Sequence, residues 1–239
     1  MIVLEDVSKV FSIPHERKRT LYHWLSSFGG RKFEYEPLYA LRNVNLHVKD
    51  GEFLGVIGKN GSGKSSLLKV ISRIYRPTSG RVSVRGELFP MLDLGVGFQP
   101  EFSCKDNVYL YGTILGFSRK EITRRLDGII AFAELERFVD AKLGTLSMGM
   151  MLRLAFAIAI QSEASIFLVD EVLAIGDNVF WLRCEEEFRN FKNSGKTVVF
   201  VSHDLSLVQR FCDRVLVLTN GRIANEGSAA EMVEFYVNA

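Results

Sequence analysis

Gly58-Lys59-Asn60-Gly61-Ser62-Gly63-Lys64-Ser65 is the stretch whose reading decides the fold. It fills the spacing G-x-x-x-x-G-K-[ST] completely. Before it runs an apolar, β-prone segment, Phe53-Leu54-Gly55-Val56-Ile57, and after it Ser66-Leu67-Leu68-Lys69-Val70-Ile71 has the pattern of a helix. Strand, glycine loop and helix form the context in which this pattern cradles phosphate. Glycines at 58, 61 and 63 let the backbone adopt conformations closed to other residues, so that successive N–H groups turn inward on an anion. The helix adds the positive end of its dipole. Lys64 can reach β- and γ-phosphates, and the Ser65 hydroxyl can ligate Mg²⁺. A glycine-rich turn that binds nothing is the alternative, and it leaves the flanking strand and helix without a purpose.

Composition fits this reading without adding to it. The 239 residues suffice for one large domain or two small lobes. A hydrophobic share of 47% with 24% charged residues is that of an ordinary globular protein. The net charge of +2 is too small to argue for nucleic acid. No apolar run approaches a membrane span, and Met1-Ile2-Val3-Leu4-Glu5-Asp6 does not resemble a signal peptide. Cys104, Cys184 and Cys212 are too scattered for a zinc site or a disulfide framework, which suits a reducing cytosol.

Taken in order, Ile2–Phe11 and Leu41–Val48 have the pattern of strands. An insert at about residues 13–38 separates them. Within it Leu21, Trp24, Leu25 and Phe28 share one face of a helix, flanked by Arg17, Lys18, Arg19, Arg31 and Lys32. Such a helix docks on a membrane partner or the lipid interface, or else packs on its own domain. Arg81–Val84 reads as a short strand. Lys105–Phe138 reads as helical and predicts a helical lobe over about residues 100–160. Ser147 is an N-cap candidate for a helix that is apolar nearly all round from Leu152 to Ala159 and therefore buried. Ser165–Val169 and Thr197–Val201 are continuous apolar runs, the mark of central parallel strands. Two final strands meet at Asn220-Gly221, a hairpin signal, and Ala229–Val237 closes the chain as a helix.

The buried strands end in polar residues, and open α/β sheets bind ligands at that edge. Asp170 and Glu171 follow one strand. Neighbouring side chains there point different ways, so Asp170 can face a Mg²⁺ held at Ser65 while Glu171 faces a water near the γ-phosphate. His203 ends the other strand, where an imidazole can hydrogen-bond the γ-phosphate or the carboxylate that positions water. His15, His23 and His47 have no such placement. The Gln99 amide oxygen can complete the metal shell.

The order of glycine loop, Gln99, Leu146-Ser147-Met148-Gly149-Met150, Ile166-Phe167-Leu168-Val169-Asp170-Glu171 and Val201-Ser202-His203 resembles the nucleotide-binding domain of ATP-binding cassette (ABC) proteins, over nearly the whole chain. The resemblance implies an α/β fold, a P-loop NTPase (RecA-like) core with an antiparallel β subdomain and a helical subdomain, forming a single domain over residues 1–239. It implies ATP and Mg²⁺ as ligands, an ATPase activity, and a nucleotide-binding set of Gly58, Asn60, Gly61, Ser62, Gly63, Lys64, Ser65 and Ser66. Asp170 then belongs to the Walker B strand and joins Ser65 and Gln99 on the metal. Glu171 is the catalytic glutamate and His203 the switch histidine. Ser147 and Gly149 form the signature that closes on ATP held by a second subunit, with Asp177 between the two sites. The adenine stacks on an aromatic residue, Phe11 by its usual place or Tyr39 as a rival.

In the signature, Met148 replaces a family glycine and Met150 the glutamine, so the backbone donors survive and one side-chain amide is lost. With Leu94-Gly95-Val96-Gly97-Phe98-Gln99-Pro100-Glu101-Phe102 and Asp170-Glu171-Val172-Leu173-Ala174-Ile175-Gly176-Asp177, these features look like the ATPase subunits of bacterial exporters of O-antigen, teichoic acid or capsule. That implies a homodimer peripheral to the cytoplasmic face of the inner membrane, two copies of a transmembrane permease, a polysaccharide cargo and no nucleic acid. A different exporter, a non-transport ABC ATPase and a small P-loop kinase are the rival readings. The last leaves the signature helix and His203 without a role.

Overall fold

The computed structural model describes residues 1–14, 35–170 and 178–238. The apolar helix expected at Leu21–Phe28, Glu171 and Asp177 lie outside them. Among the described residues there are two sheets. Strands β1 (Ile2–Pro14), β2 (Tyr35–Val48) and β4 (Ser79–Val84) form an antiparallel sheet in the order β2-β1-β4. Strands β3 (Phe53–Ile57), β5 (Leu88–Met91), β6 (Ile166–Asp170), β7 (Thr197–Val201), β8 (Arg214–Thr219) and β9 (Arg222–Ser228) form the main sheet in the order β5-β6-β7-β3-β8-β9. It is parallel except for β9. The helices are α1 (Lys64–Ile71), α2 (Cys104–Ile114), α3 (Arg119–Ala133), α4 (Met148–Ala159), α5 (Asn178–Asn193), α6 (Leu205–Phe211) and α7 (Ala229–Val237).

Period-two alternation splits the apolar runs between the two faces of the main sheet. Phe53, Phe167, Val169, Val198 and Phe200 face one way and pack with Phe180, Phe188 and Phe191 of α5. Leu54, Val56, Leu168, Val199 and Val201 face the other way and pack with Leu67, Leu68 and Ile71 of α1 and with Ile2, Leu4 and Val44 of the antiparallel sheet. Continuous apolar strands are needed because both faces are covered.

Several boundaries differ from those expected. The helical stretch expected at Lys105–Phe138 is broken into α2, α3 and a short 3₁₀ turn at Glu136–Phe138. Gly116 turns the chain with φ 95°, and Ser118 and Glu121 form a reciprocal capping box that starts α3 afresh. The ends of the expected insert are strand, since Ile13 pairs with Glu36 and Pro14 with Tyr35. Strand β5, which contains Pro90 and lacks an alternating pattern, was not expected; it lies at the sheet edge, where proline is tolerated.

Helix α4 joins the two lobes. Leu154, Ala155, Ala157 and Ile158 belong to the core of the helical lobe, while Phe156 belongs to the core beneath the main sheet. The Phe156 ring lies 6.1 Å from Phe132, 6.2 Å from Phe180 and 6.4 Å from Phe188. Phe156→Ala is expected to cost about 3–5 kcal/mol, read by urea denaturation; a loss within about 0.5 kcal/mol, the range of a surface change, would contradict this packing.

Candidate active site

Register brings the polar strand ends to one edge. Asp170 of β6 pairs with Val201 of β7, and Val201 pairs with Val56 of β3. Asp170, Ser202-His203 and the loop beginning at Gly58 therefore leave the sheet at the same level. Two strand spacings separate β6 from β3, a gap of about 10 Å.

The loop at 58–63 is wedged between backbone segments. A Cβ on Gly58 would lie 2.3 Å from the Leu218 carbonyl oxygen and 2.7 Å from Ser62 Oγ; one on Gly63 would lie 2.5 Å from the Ala40 carbonyl oxygen. Gly63 also takes φ 110° as it starts α1. The β8–β9 turn braces the loop: the Gly221 N–H donates to the Ser62 carbonyl at 2.8 Å, and the Gly221 carbonyl accepts from the Arg42 N–H at 2.7 Å. Asn220 and Gly221 have φ 50° and 77°, the turn type expected from the sequence. Its role in holding the loop was not legible, because the contact joins residues far apart in the chain.

The loop has the properties of an anion cradle. Helix α1 has no side-chain N-cap and no acidic residue in its first turn, so its leading N–H groups and dipole face the loop uncompensated by a carboxylate. Lys64 is 6% exposed, and its Nζ donates to the Gly58 carbonyl at 2.7 Å and the Lys59 carbonyl at 3.2 Å. These bonds fold the ammonium back over the loop. Among the described residues, Ser62 Oγ is the buried side-chain polar atom that lacks a hydrogen-bond partner. Such an orphan costs about 1–3 kcal/mol unless a ligand meets it. A phosphate oxygen would do so, and the residues present fit a nucleotide triphosphate.

The remaining predicted residues among those described fall in four places. His203 is exposed in the turn after β7, and Asp204 beside it caps α6, accepting from the Ser206 and Leu207 N–H groups at 2.9 and 3.3 Å. The Ser206 hydroxyl, and then those N–H groups, hold the Asp204 carboxyl below its usual range, so it stays ionised at neutral pH. Ser147 caps α4, its Oγ accepting from the Met150 N–H at 3.3 Å; Met148 is 68% exposed, and a Cβ on Gly149 would lie 3.9 Å from Ser147 Oγ, an ordinary contact. Ser147 and Gly149 belong to the helical lobe and not to the sheet edge.

Gln99 lies exposed in the loop between β5 and α2, its backbone gripped by the buried Asn107. Asn107 was missed, since a lone asparagine in a helix carries no signal of what it touches. Ser65, Gln99 and Asp170 supply a hydroxyl, an amide oxygen and a carboxylate, a hard oxygen set that suits Mg²⁺. The two aromatic candidates sit one register step apart, with Val10 paired to Tyr39 and Phe11 to Leu38. Phe11 packs edge-on to Tyr75 at 5.3 Å, while Tyr39 is 44% exposed with the Arg42 guanidinium 4.4 Å over its ring.

This fold and loop define a P-loop nucleotide-binding protein of the α/β class. Residues 41–174 match the family described as ABC transporter. The O-antigen export system ATP-binding protein RfbB of Klebsiella pneumoniae is 41% identical over 246 residues, covering 100% of this chain and 98% of that protein. The RfbB of Myxococcus xanthus is 42% identical over 250 residues, and there the chain spans 56% of the relative's length. The teichoic acids export ATP-binding protein TagH of Shouchella clausii is 34% identical over 98% of this chain and 64% of its own. Among solved structures, a dimeric post-hydrolysis state of the ATP-binding cassette MJ0796 bound to ADP and Pi superposes with a TM-score of 0.75 at 27% identity, covering 96% of this chain and 99% of that one. The chain belongs to the ABC transporter family, among its ATPase subunits.

If Lys64 meets phosphate through a charge-assisted contact, worth about 1.5–3 kcal/mol, Lys64→Ala is expected to weaken ATP binding by about 10- to 100-fold in calorimetry. Unchanged affinity would remove Lys64 from the site.

Proposed function

We propose that this chain powers export of a lipid-linked cell-surface polysaccharide, of the O-antigen kind, from the cytoplasmic face of the inner membrane. The observation that carries this is the 41% identity to the O-antigen export system ATP-binding protein RfbB of Klebsiella pneumoniae along 98% of that protein's length. Two copies of the chain face each other, each offering its Ser147 and Gly149 to the ATP cradled by the other's Gly58–Ser66 loop. The permease is a separate chain in two copies, and this subunit lies on it peripherally. Among the described residues no helix is long and apolar enough to cross a membrane. Similarity to TagH supports a second reading in which the cargo is a teichoic acid.

Lys64 and the loop N–H groups hold the β- and γ-phosphates, and the Ser62 hydroxyl meets a phosphate oxygen. Phe11 or Tyr39 stacks on the adenine. Ser65, Gln99 and Asp170 would hold Mg²⁺, which when bound would neutralise phosphate charge. Glu171 orients the attacking water and takes its proton, and His203 hydrogen-bonds the γ-phosphate as it departs.

Glu171→Gln is expected to keep ATP affinity within about twofold while lowering hydrolysis by about 10²–10⁴-fold, the usual contribution of a general base. Phosphate release and nucleotide titration on the purified chain read both. Turnover equal to wild type would sink the role given to Glu171.

A further inference from the structure

We propose that Asn107 is a positioning residue that aims the Gln99 carboxamide at the metal and nucleotide. The proposal rests on the reading of Gln99 as a Mg²⁺ ligand. Asn107 sits in the first turn of α2 and is 0% exposed. Its Oδ1 accepts the Gln99 N–H at 2.7 Å, and its Nδ2 donates back to the Gln99 carbonyl at 2.9 Å. The same Nδ2 lies 2.9 Å from the Ser103 carbonyl and 3.3 Å from that of Phe102. One side chain thus holds both polar groups of the Gln99 backbone while the Gln99 side chain remains exposed.

Only a carboxamide suits this place. The backbone N–H requires an acceptor and the carbonyls require a donor, and asparagine carries both on one short stem. One turn further along α2, the Tyr111 hydroxyl accepts from the Gly95 N–H at 3.1 Å, so the same helix also holds the start of the loop. The far side of the loop is tied to the segment that leads into Ser147. The Gly144 N–H donates to the Pro100 carbonyl and the Leu143 N–H to the Phe102 carbonyl, both at 2.9 Å. Asn107 therefore fixes Gln99 to the helical lobe, so the metal ligand and the start of α4 keep a set relation. Partners of this kind, which orient a ligand without touching the metal, typically change metal affinity by about 10- to 100-fold when removed.

The test uses the purified chain saturated with ATP and Mn²⁺ as the probe, with affinity read by electron paramagnetic resonance. The half-saturating Mg²⁺ for hydrolysis is measured in parallel. Asn107→Ala is expected to weaken Mn²⁺ binding about tenfold or more, while ATP affinity in EDTA stays within about twofold. In a Gln99→Ala background, Asn107→Ala should add no more than about a twofold change, because the group it aims is already gone. Multiplied losses in the double variant, or unaltered Mn²⁺ affinity in Asn107→Ala, would overturn the proposal. If Gln99→Ala alone leaves Mn²⁺ binding unchanged, the metal-ligand reading of Gln99 fails, and this inference with it. Should Asn107→Ala not fold, Asn107→Ser carries the comparison: its single hydroxyl cannot serve both the Gln99 N–H and the Gln99 carbonyl, and it is expected to show the same weakened Mn²⁺ binding.

Discussion

Backbone pressed against backbone at the phosphate loop is the constraint on which the site depends. Carbonyls of Leu218 and Ala40 approach Gly58 and Gly63 where a Cβ would lie 2.3 and 2.5 Å away. No side chain fits there, so the glycines are required by space as well as by dihedral angle. The packing fixes where the N–H groups at the start of α1 point, and Lys64 and Ser62 are buried within it. A buried ammonium held by two carbonyls and a buried hydroxyl with no partner are poor arrangements for an empty turn. They are good ones for a turn that receives a polyanion.

The sheet supplies the rest by register. Residues far apart in the chain, from Gly58 to His203, meet at one edge because β3, β6 and β7 run parallel and end together. The helical lobe is attached through two different kinds of contact. Helix α4 shares its faces between the two cores through Phe156 and its neighbours. The Gln99 loop instead links β5 to α2 through main-chain hydrogen bonds gripped by Asn107 and Tyr111. The first contact is apolar and sets how firmly the lobe is held. The second is directional and fixes the Gln99 backbone.

Local patterns in the sequence translate well into structure where one element carries the whole signal. The glycine loop, the apolar strands ending at Asp170 and Val201, the Ser147 cap and the Asn220-Gly221 turn are all local, and each appears as read. Boundaries were less legible. Residues 105–138 have helical composition throughout, and the break between α2 and α3 rests on Gly116 and the Ser118–Glu121 box, which compete with that composition only once the chain is packed. Strand β5 has too few residues to show a period. Gly221 and Asn107 were illegible as parts of the site for a different reason. Their partners, Ser62 and Gln99, are reached through main-chain atoms, and main-chain atoms leave no trace in residue identity.

The proposed function requires that ATP turnover by this chain drive a membrane partner carrying a glycan. The most direct measurement is to trap a tagged Glu171→Gln chain with Mg-ATP in native membranes, purify it, and identify what accompanies it. A polytopic membrane protein in stoichiometric amount is expected, with a lipid-linked polysaccharide bound to the complex. Recovery of DNA or ribosomes with no membrane protein would contradict it, leaving an ATPase without a transporter.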